Sequence, residues 1–213
     1  MNLMLKYSKL NLAFLLLLNF VLIYITGHFI LTEQFFERNS NPLAGTPEEA
    51  LQVYKSLQLW IYPIVALYTL LKIFAVSLIL FTALYLKDAE VSFRTICKVV
   101  VLAEFIFIVP AVIKVATFPI LFPGGSLSDW QQYFILSAGS LFKYSAADWS
   151  YALQTLNLFE VAYWFILAFG IQKITGFDFD RSLQLVLISY LPALFIWVAT
   201  VTFFMLMIFP AFS

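Results

Sequence analysis

The chain has 213 residues, of which 63% are hydrophobic and 11% charged, and its 12 basic and 12 acidic side chains cancel. Soluble domains average about 45–50% apolar and about 25% charged residues, and a globule of this size could not bury so much apolar surface. The composition therefore excludes a water-soluble domain and predicts the lipid bilayer as a partner. The balanced charge gives no indication of a nucleic-acid partner.

Five apolar runs are long enough to cross the hydrocarbon layer of a membrane, which takes about 20 helical residues. The first run is longer than the apolar core of a signal peptide and ends without a cleavage site, so we interpret it as a retained helix. The chain is thus predicted to be a single all-α integral membrane domain with five transmembrane helices. The predicted spans are residues 11–31, 60–86, 95–118, 153–171 and 183–209.

Two longer segments between the spans have their own patterns. Residues 32–58 form an acidic outer loop, in which Thr46, Pro47 and Glu49 predict a capped helix that continues into the second span. Residues 119–150 are rich in aromatic side chains, and neither half is long enough to cross a membrane. We predict an interfacial helical hairpin there, with Ser128 as a helix cap.

Prolines mark positions where a span should bend. Pro63 is predicted in the first turn of the second span, where a missing N–H costs little. Pro110 lies inside the third span and should kink it or mark a local break. Pro192 lies inside the fifth span.

The distribution of Lys and Arg predicts the orientation. Seven basic residues lie on the side of the N-terminus and the two short turns, and three lie on the other side. The positive-inside rule therefore predicts a cytoplasmic N-terminus and an outward C-terminus. The Phe-rich composition with Lys and Asn indicates a bacterial inner membrane.

A short phrase occurs twice. Residues 71–76 (LKIFAV) resemble residues 156–161 (LNLFEV), and Phe93 aligns with Phe179 after a one-residue insertion. Each phrase opens an apolar run, which is followed by a polar turn and a further span that contains proline. One interpretation is a leading helix plus a duplicated hairpin, which would be a parallel repeat as in some transporters. Chance similarity between apolar sequences is the other interpretation.

Four ionisable residues and one amide lie within the spans, namely Lys72, Glu104, Lys114, Glu160 and Asn157. Burying one charge alone in a membrane costs about 2.5–3.5 kcal/mol, so each charge should have a partner or reach water. Depth along the helices makes Lys114–Glu160 the first expected pair, with Lys72 close to Glu104 or Glu160. These residues either fix helix register as structural pairs or form a polar path for an ion or polar solute.

The aromatic segment has two interpretations. It either anchors a hairpin at the headgroups or presents a docking surface for a partner, because Trp and Tyr are enriched in both settings. The docking candidates are Trp130, Tyr133, Phe134, Phe142, Tyr144 and Trp149.

Enzyme chemistry has little support in the sequence. His28 and Cys97 are the only residues of their types, which argues against a Cys/His metal site. Glu48 and Glu49 resemble the paired glutamates of intramembrane metalloproteases, but Val53 stands where those have arginine. We therefore predict no catalytic residue, no metal and no cofactor.

Residues 153–193 resemble the Yip-domain family, including its bacterial relatives. The similarity rests on the turn GFDF at 176–179, RSL at 181–183 and SYLP at 189–192, with VSFR at 91–94 leading to Val109 and Pro110 as an earlier version of the same design. The resemblance implies five spans, a cytoplasmic N-terminus and an outward C-terminus. The Asp-Leu-Tyr-Gly-Pro motif of the eukaryotic members is absent, so their Rab-GTPase and trafficking role is not implied.

We therefore expect a non-enzymatic membrane protein that acts as a scaffold or accessory subunit of a transport or export complex. Its partners would be other integral membrane proteins or a second copy of itself. The alternative is a small permease with a polar path at Lys72, Glu104, Asn157 and Glu160. Charges that face a wet cavity would favour the permease, and dry paired charges would favour the scaffold.

Overall fold

The computed structural model describes residues 8–32, 35, 46–141 and 149–208. Every named element within these residues is a helix, and five helical stretches are long and apolar enough to cross a membrane. The all-α membrane fold with five transmembrane helices is therefore confirmed. These stretches are Lys9–Ile30, Gln52–Tyr85, Phe93–Leu121, Leu158–Thr175 and Phe179–Met207.

The helices are numbered in chain order. They are α1 (Ser8–Ile25, continued by the π-helical turn Thr26–Ile30), α2 (Pro47–Tyr85), α3 (Phe93–Glu104), α4 (Ile108–Leu121), α5 (Leu127–Gln132), α6 (Ser150–Thr155), α7 (Leu158–Thr175) and α8 (Phe179–Ile208). The end of the bundle with the short α2–α3 and α7–α8 connections is called the turn face. The opposite end, with α5 and α6, is called the loop face.

Helix α2 begins where the sequence predicts. The backbone N–H of Thr46 donates to the Glu49 carboxylate at 3.1 Å, and the Glu49 N–H donates to the Thr46 hydroxyl at 3.3 Å. This capping box starts a helix of 39 residues. At 1.5 Å per residue it is about 58 Å long, so it extends beyond a ~30 Å hydrocarbon layer. Pro63 consequently lies in the helix interior, and its predicted place in a first turn was wrong.

The third span is broken as Pro110 predicts. A short 3₁₀ segment, Phe105–Phe107, separates α3 from α4. Proline has no N–H to donate, and its ring clashes with the carbonyl four residues earlier, which is that of Ile106. The tighter turn therefore lies where the α-helical bond is lost. Pro192, in contrast, lies within the continuous helix α8.

The fourth span begins later than predicted. Helix α6 ends at Thr155, and α7 starts afresh at Leu158 with Asn157 as its cap. The Asn157 amide oxygen accepts a 2.8 Å hydrogen bond from the Glu160 N–H. An Asn side chain that bonds nearby backbone competes with continued helix, and the apolar pattern across 153–171 does not reveal such a break.

The proposed repeat receives mixed support. Residues 71–76 lie inside α2, whereas residues 156–161 contain the start of α7, so the two similar phrases differ in conformation. Phe93 and Phe179, however, are each the first residue of a helix after a short turn. The duplication itself stays a prediction.

The tightest packing lies in the turn half of the bundle. Its fully buried side chains come from five helices and include Leu15, Leu80, Ile96, Leu167 and Val186. Helices α3 and α7 approach closely at Gly170, because a Cβ added there would overlap the Val99 side chain. A small residue at a crossing lets two transmembrane backbones come together.

This crossing gives a stability prediction. Gly170→Ala should destabilise the fold by about 1–3 kcal/mol, because the new methyl group overpacks the site against the stiff β-branched side chain of Val99. Thermal unfolding of the detergent-solubilised protein measures the effect. Adding Val99→Ala should restore part of the loss, and Phe169→Leu on the exposed face of α7 is the control. An unchanged thermal-unfolding midpoint in Gly170→Ala would contradict the close approach of α3 and α7 at Gly170.

Candidate functional site

A partly buried ion pair lies at the centre of the bundle. The Lys72 ammonium donates to Glu104 Oε2 at 2.9 Å, and the Tyr163 hydroxyl donates to Glu104 Oε1 at 2.8 Å. Lys72 Nζ also lies 3.7 Å from the centroid of the Phe107 ring, a favourable cation–π position. Both oxygens of Glu104, which is 6% exposed, are therefore satisfied. The pair joins α2 to α3, and Tyr163 adds α7.

Glu160 lies nearby but has a different environment. Its Oε1 accepts a 2.7 Å hydrogen bond from the Tyr190 hydroxyl and a 3.1 Å bond from Trp164 Nε1. Both donors are neutral, and no described residue donates to Oε2. Lys72–Glu104 is the one salt bridge within the described part of the chain. Glu160, at 5% exposure, is thus a buried carboxyl group that forms no salt bridge with a described residue.

The buried polar groups lie at one depth. Counted from the turn-face ends of their helices, Lys72, Glu104, Glu160 and Tyr190 are about 16–23 Å deep at 1.5 Å per residue. We call them, together with Tyr163, the polar layer. Since the hydrocarbon region is about 30 Å thick, this layer lies within it.

Lys114 does not belong to this layer, and its expected pair with Glu160 was wrong. It is about 31 Å from the start of α3, which puts it near the loop face. Its ammonium lies 4.5 Å from the Trp130 ring centroid and 5.7 Å from that of Phe134. The other expectation, that Lys72 is close to Glu104 or Glu160, is met through Glu104.

A cleft runs along α2 past the polar layer. Its volume is about 830 Å³, and it extends along α2 from Val65 to Ile79, about 21 Å of helix. Lys72, Glu104, Glu160 and Tyr190 line it, and we call it the acidic cleft. Further polar lining comes from Asn19, Tyr68, Thr69, Tyr151, Gln154, Thr155 and Asn157.

The rim of the acidic cleft is apolar and aromatic. Tyr68, Leu71, Phe74 and Trp197 line it, and each is more than half exposed. These side chains lie at hydrocarbon depth, so the cleft opens towards the lipid side. The arrangement combines an apolar wall with a small number of convergent polar groups, as is typical of small-molecule sites.

The charges on the cleft floor balance only while Glu160 is protonated. Lys72 and Glu104 neutralise each other, and an ionised Glu160 leaves one net negative charge. A buried charge without a partner is costly in a low-dielectric interior. The cleft floor is therefore chemically suited to a positively charged group next to Oε2 of Glu160.

Two predicted features have roles other than those expected. Asn157 lines the cleft, but its amide caps α7 and donates to the carbonyls of Gln154 and Thr155. The sequence reasoning also missed Tyr163 and Tyr190, which hold the two carboxylates. Their signal was available, because each is a tyrosine in the middle of a span, where a buried hydroxyl needs a partner.

The aromatic segment packs largely against its own chain. Trp130 and Tyr133 contact the ring of Phe118, and the Tyr133 hydroxyl is 2.8 Å from that of Thr117. Trp130, Tyr133 and Phe134 are partly buried. Trp149 is 59% exposed, whereas Phe142 and Tyr144 lie outside the described residues. Among the docking candidates that the structure describes, Trp149 is therefore the one exposed side chain.

The cap of α5 also differs from the prediction. Ser126, not Ser128, is the N-cap, and its backbone N–H and hydroxyl both donate to Asp129 at 2.7 Å. These bonds, the backbone one first, lower the pKa of Asp129 and keep it ionised at neutral pH. A carboxylate in the first turn is favourable next to the positive end of the helix dipole.

No protein-family model matches this sequence, and no curated protein or solved structure is significantly similar to it. The Yip-domain resemblance therefore stays a prediction that rests on the residues quoted for it. Within the described residues, no three His, Cys, Asp or Glu side chains gather to hold a metal ion.

The central ion pair gives a second stability prediction. Lys72→Met should destabilise the protein by about 3–5 kcal/mol, because it leaves Glu104 buried without its cation. Glu104→Gln should also destabilise, since Lys72 then loses its partner. The double variant should be more stable than either single one in thermal unfolding. If the stability lost in the double variant equals the sum of the losses in the two single variants, Lys72 and Glu104 do not interact.

Proposed function

We propose that this non-enzymatic membrane protein is a small permease that binds an organic cation in the acidic cleft. The observation that carries the proposal is the position of Glu160, a buried residue of the cleft lining whose Oε1 accepts from two neutral donors and whose Oε2 accepts from no described residue. Intramembrane ionisable residues often mark substrate or ion paths. The proposal includes the predicted orientation in a bacterial inner membrane, with the loop face outside.

The lining supports an organic cation more than a bare metal ion. Tyr68, Tyr190 and Trp197 supply aromatic groups to the same lining as Glu160. Aromatic faces attract cations, and quaternary or alkylated ammonium groups are typical ligands of such sites. The apolar rim would accept the carbon skeleton of the solute while its charge lies against Glu160.

The neutral pair beside Glu160 supports the same solute class. Lys72 is already engaged by Glu104 and two aromatic rings, so it does not compete for Glu160 as a salt-bridge partner. An anionic solute would have to displace Glu104 from Lys72 and would meet Glu160. A cation meets a single available carboxylate.

Replacing the carboxylate should remove cation binding. Glu160→Gln keeps the shape and the acceptor for Tyr190 but loses the charge, so affinity should fall about tenfold or more, which corresponds to ~1.4 kcal/mol. The measurement is equilibrium binding of tetraphenylphosphonium and ethidium to the purified protein, followed by uptake into proteoliposomes.

Glu90→Gln is the matched control, because Glu90 is an exposed carboxylate in the α2–α3 turn. It should leave binding and uptake unchanged. Equal cation affinity in Glu160→Gln and the unchanged protein would overturn the permease proposal. So would a loss of uptake that the Glu90 control shares.

A second proposal is the accessory subunit that the sequence favoured. The exposed Trp149 side chain at the loop face supports it, because a large exposed Trp is a frequent anchor at interfaces. Purification in nanodiscs at native expression level should then recover a stoichiometric membrane partner. Trp149→Ala should abolish that recovery, whereas Trp197→Ala at the cleft rim should not. A protein that purifies alone or only with itself would contradict this proposal.

A further inference from the structure

A second cleft lies between α2 and α8 at the turn face. Its volume is about 390 Å³, and its charged lining residues are Lys87 and Arg181. No carboxylate lines it, although Asp88, Glu90 and Asp180 are close in sequence. We call it the basic cleft. Its charge is opposite to the one that the acidic cleft carries when Glu160 is ionised.

The two cationic groups are available at the mouth of the basic cleft. Lys87 and Arg181 are both exposed, and neither forms a salt bridge to any described residue. The Arg181 guanidinium lies 4.1 Å from the centroid of the Phe177 ring. Stacking on an aromatic ring holds a guanidinium in place and leaves its N–H donors free for an oxyanion.

Below the cations the basic cleft becomes apolar. Ile79, Leu185 and Ile188 line it, and Ile188 lies about 10 Å deeper than Arg181 along α8. Gln184 and Ser189 line the same wall, but the Ser189 hydroxyl is already bonded to the Leu185 carbonyl. The gradient from cationic mouth to apolar floor matches a phospholipid, with its phosphate at the surface and its acyl chain below.

We propose that the basic cleft binds an anionic phospholipid, with its phosphate on Lys87 and Arg181 and one acyl chain between α2 and α8. The site lies at a membrane boundary, where the bilayer supplies this ligand at high concentration. Each basic residue near an anionic membrane surface contributes about a factor of five to binding. A cation bound in the acidic cleft is not required for this site.

The test uses the full-length protein in nanodiscs. The nanodiscs contain dioleoyl-phosphatidylglycerol and dioleoyl-phosphatidylcholine. Native mass spectrometry counts the lipid molecules that stay bound to the protein after its release from these nanodiscs. The unchanged protein should retain phosphatidylglycerol selectively. In the double variant Lys87→Gln, Arg181→Gln, the preference for phosphatidylglycerol over phosphatidylcholine should be at least about tenfold lower.

Arg94→Gln combined with Lys173→Gln is the control, because both residues are exposed cations that do not line the basic cleft. It should retain phosphatidylglycerol as the unchanged protein does. Equal loss in this control would overturn the proposal, since general surface charge would then explain the retention. Equal retention of phosphatidylcholine would also overturn it.

A further arm separates a lipid from free phosphate. Inorganic phosphate at millimolar concentration should not displace the retained phosphatidylglycerol, because it lacks the acyl chain that the apolar floor accepts. Displacement would show that the cleft binds phosphate alone and would overturn the lipid assignment. Cation binding at Glu160, measured on the same double variant, should be unchanged, so failure of this proposal and of the permease proposal can be distinguished.

Discussion

The burial of charge inside the membrane constrains the rest of this structure. A lone ionised side chain at mid-bilayer costs several kcal/mol, and water is not there to solvate it. Lys72 and Glu104 reduce that cost by pairing, and Tyr163 satisfies the remaining carboxylate oxygen. Because the three groups come from α2, α3 and α7, the pair also fixes the height of these helices relative to one another. Glu160 and Tyr190 extend the same layer to α8.

The polar layer divides the bundle into two halves with different packing. Towards the turn face, Leu80, Ile96 and Val186 fill a dry core, and Gly170 lets α3 and α7 touch. Towards the loop face, α7 starts only at Leu158, and residues on both sides of this start, including Thr155 and Asn157, line the acidic cleft. The acidic cleft therefore lies beside the break between α6 and α7. The same break puts Glu160 in the first turn of the helix, at the floor of that cleft.

Much of the fold follows from the sequence, and the reasons for the rest are physical. Span number and the Pro110 break could be predicted, because length, hydropathy and a missing N–H are local properties. The start at Leu158 could not, because one Asn cap inside an apolar run leaves the hydropathy unchanged. Helical rise predicted the depth of Lys114 but not the direction of its side chain, so its contacts with the rings of Trp130 and Phe134 could not be predicted. A cleft is unfilled space between helices, and no residue type encodes it.

The acidic cleft, when Glu160 is ionised, and the basic cleft carry opposite charges, and both are lined by α2 and α8. Ile79 lines both clefts, so the acidic cleft ends where the basic cleft begins. A cation moving past Ile79 towards the turn face would approach Lys87 and Arg181, and repulsion is strong in a low-dielectric medium. An anionic headgroup on these two residues would cancel that repulsion. The lipid composition of the turn-face leaflet would then set how readily a bound cation leaves on that side.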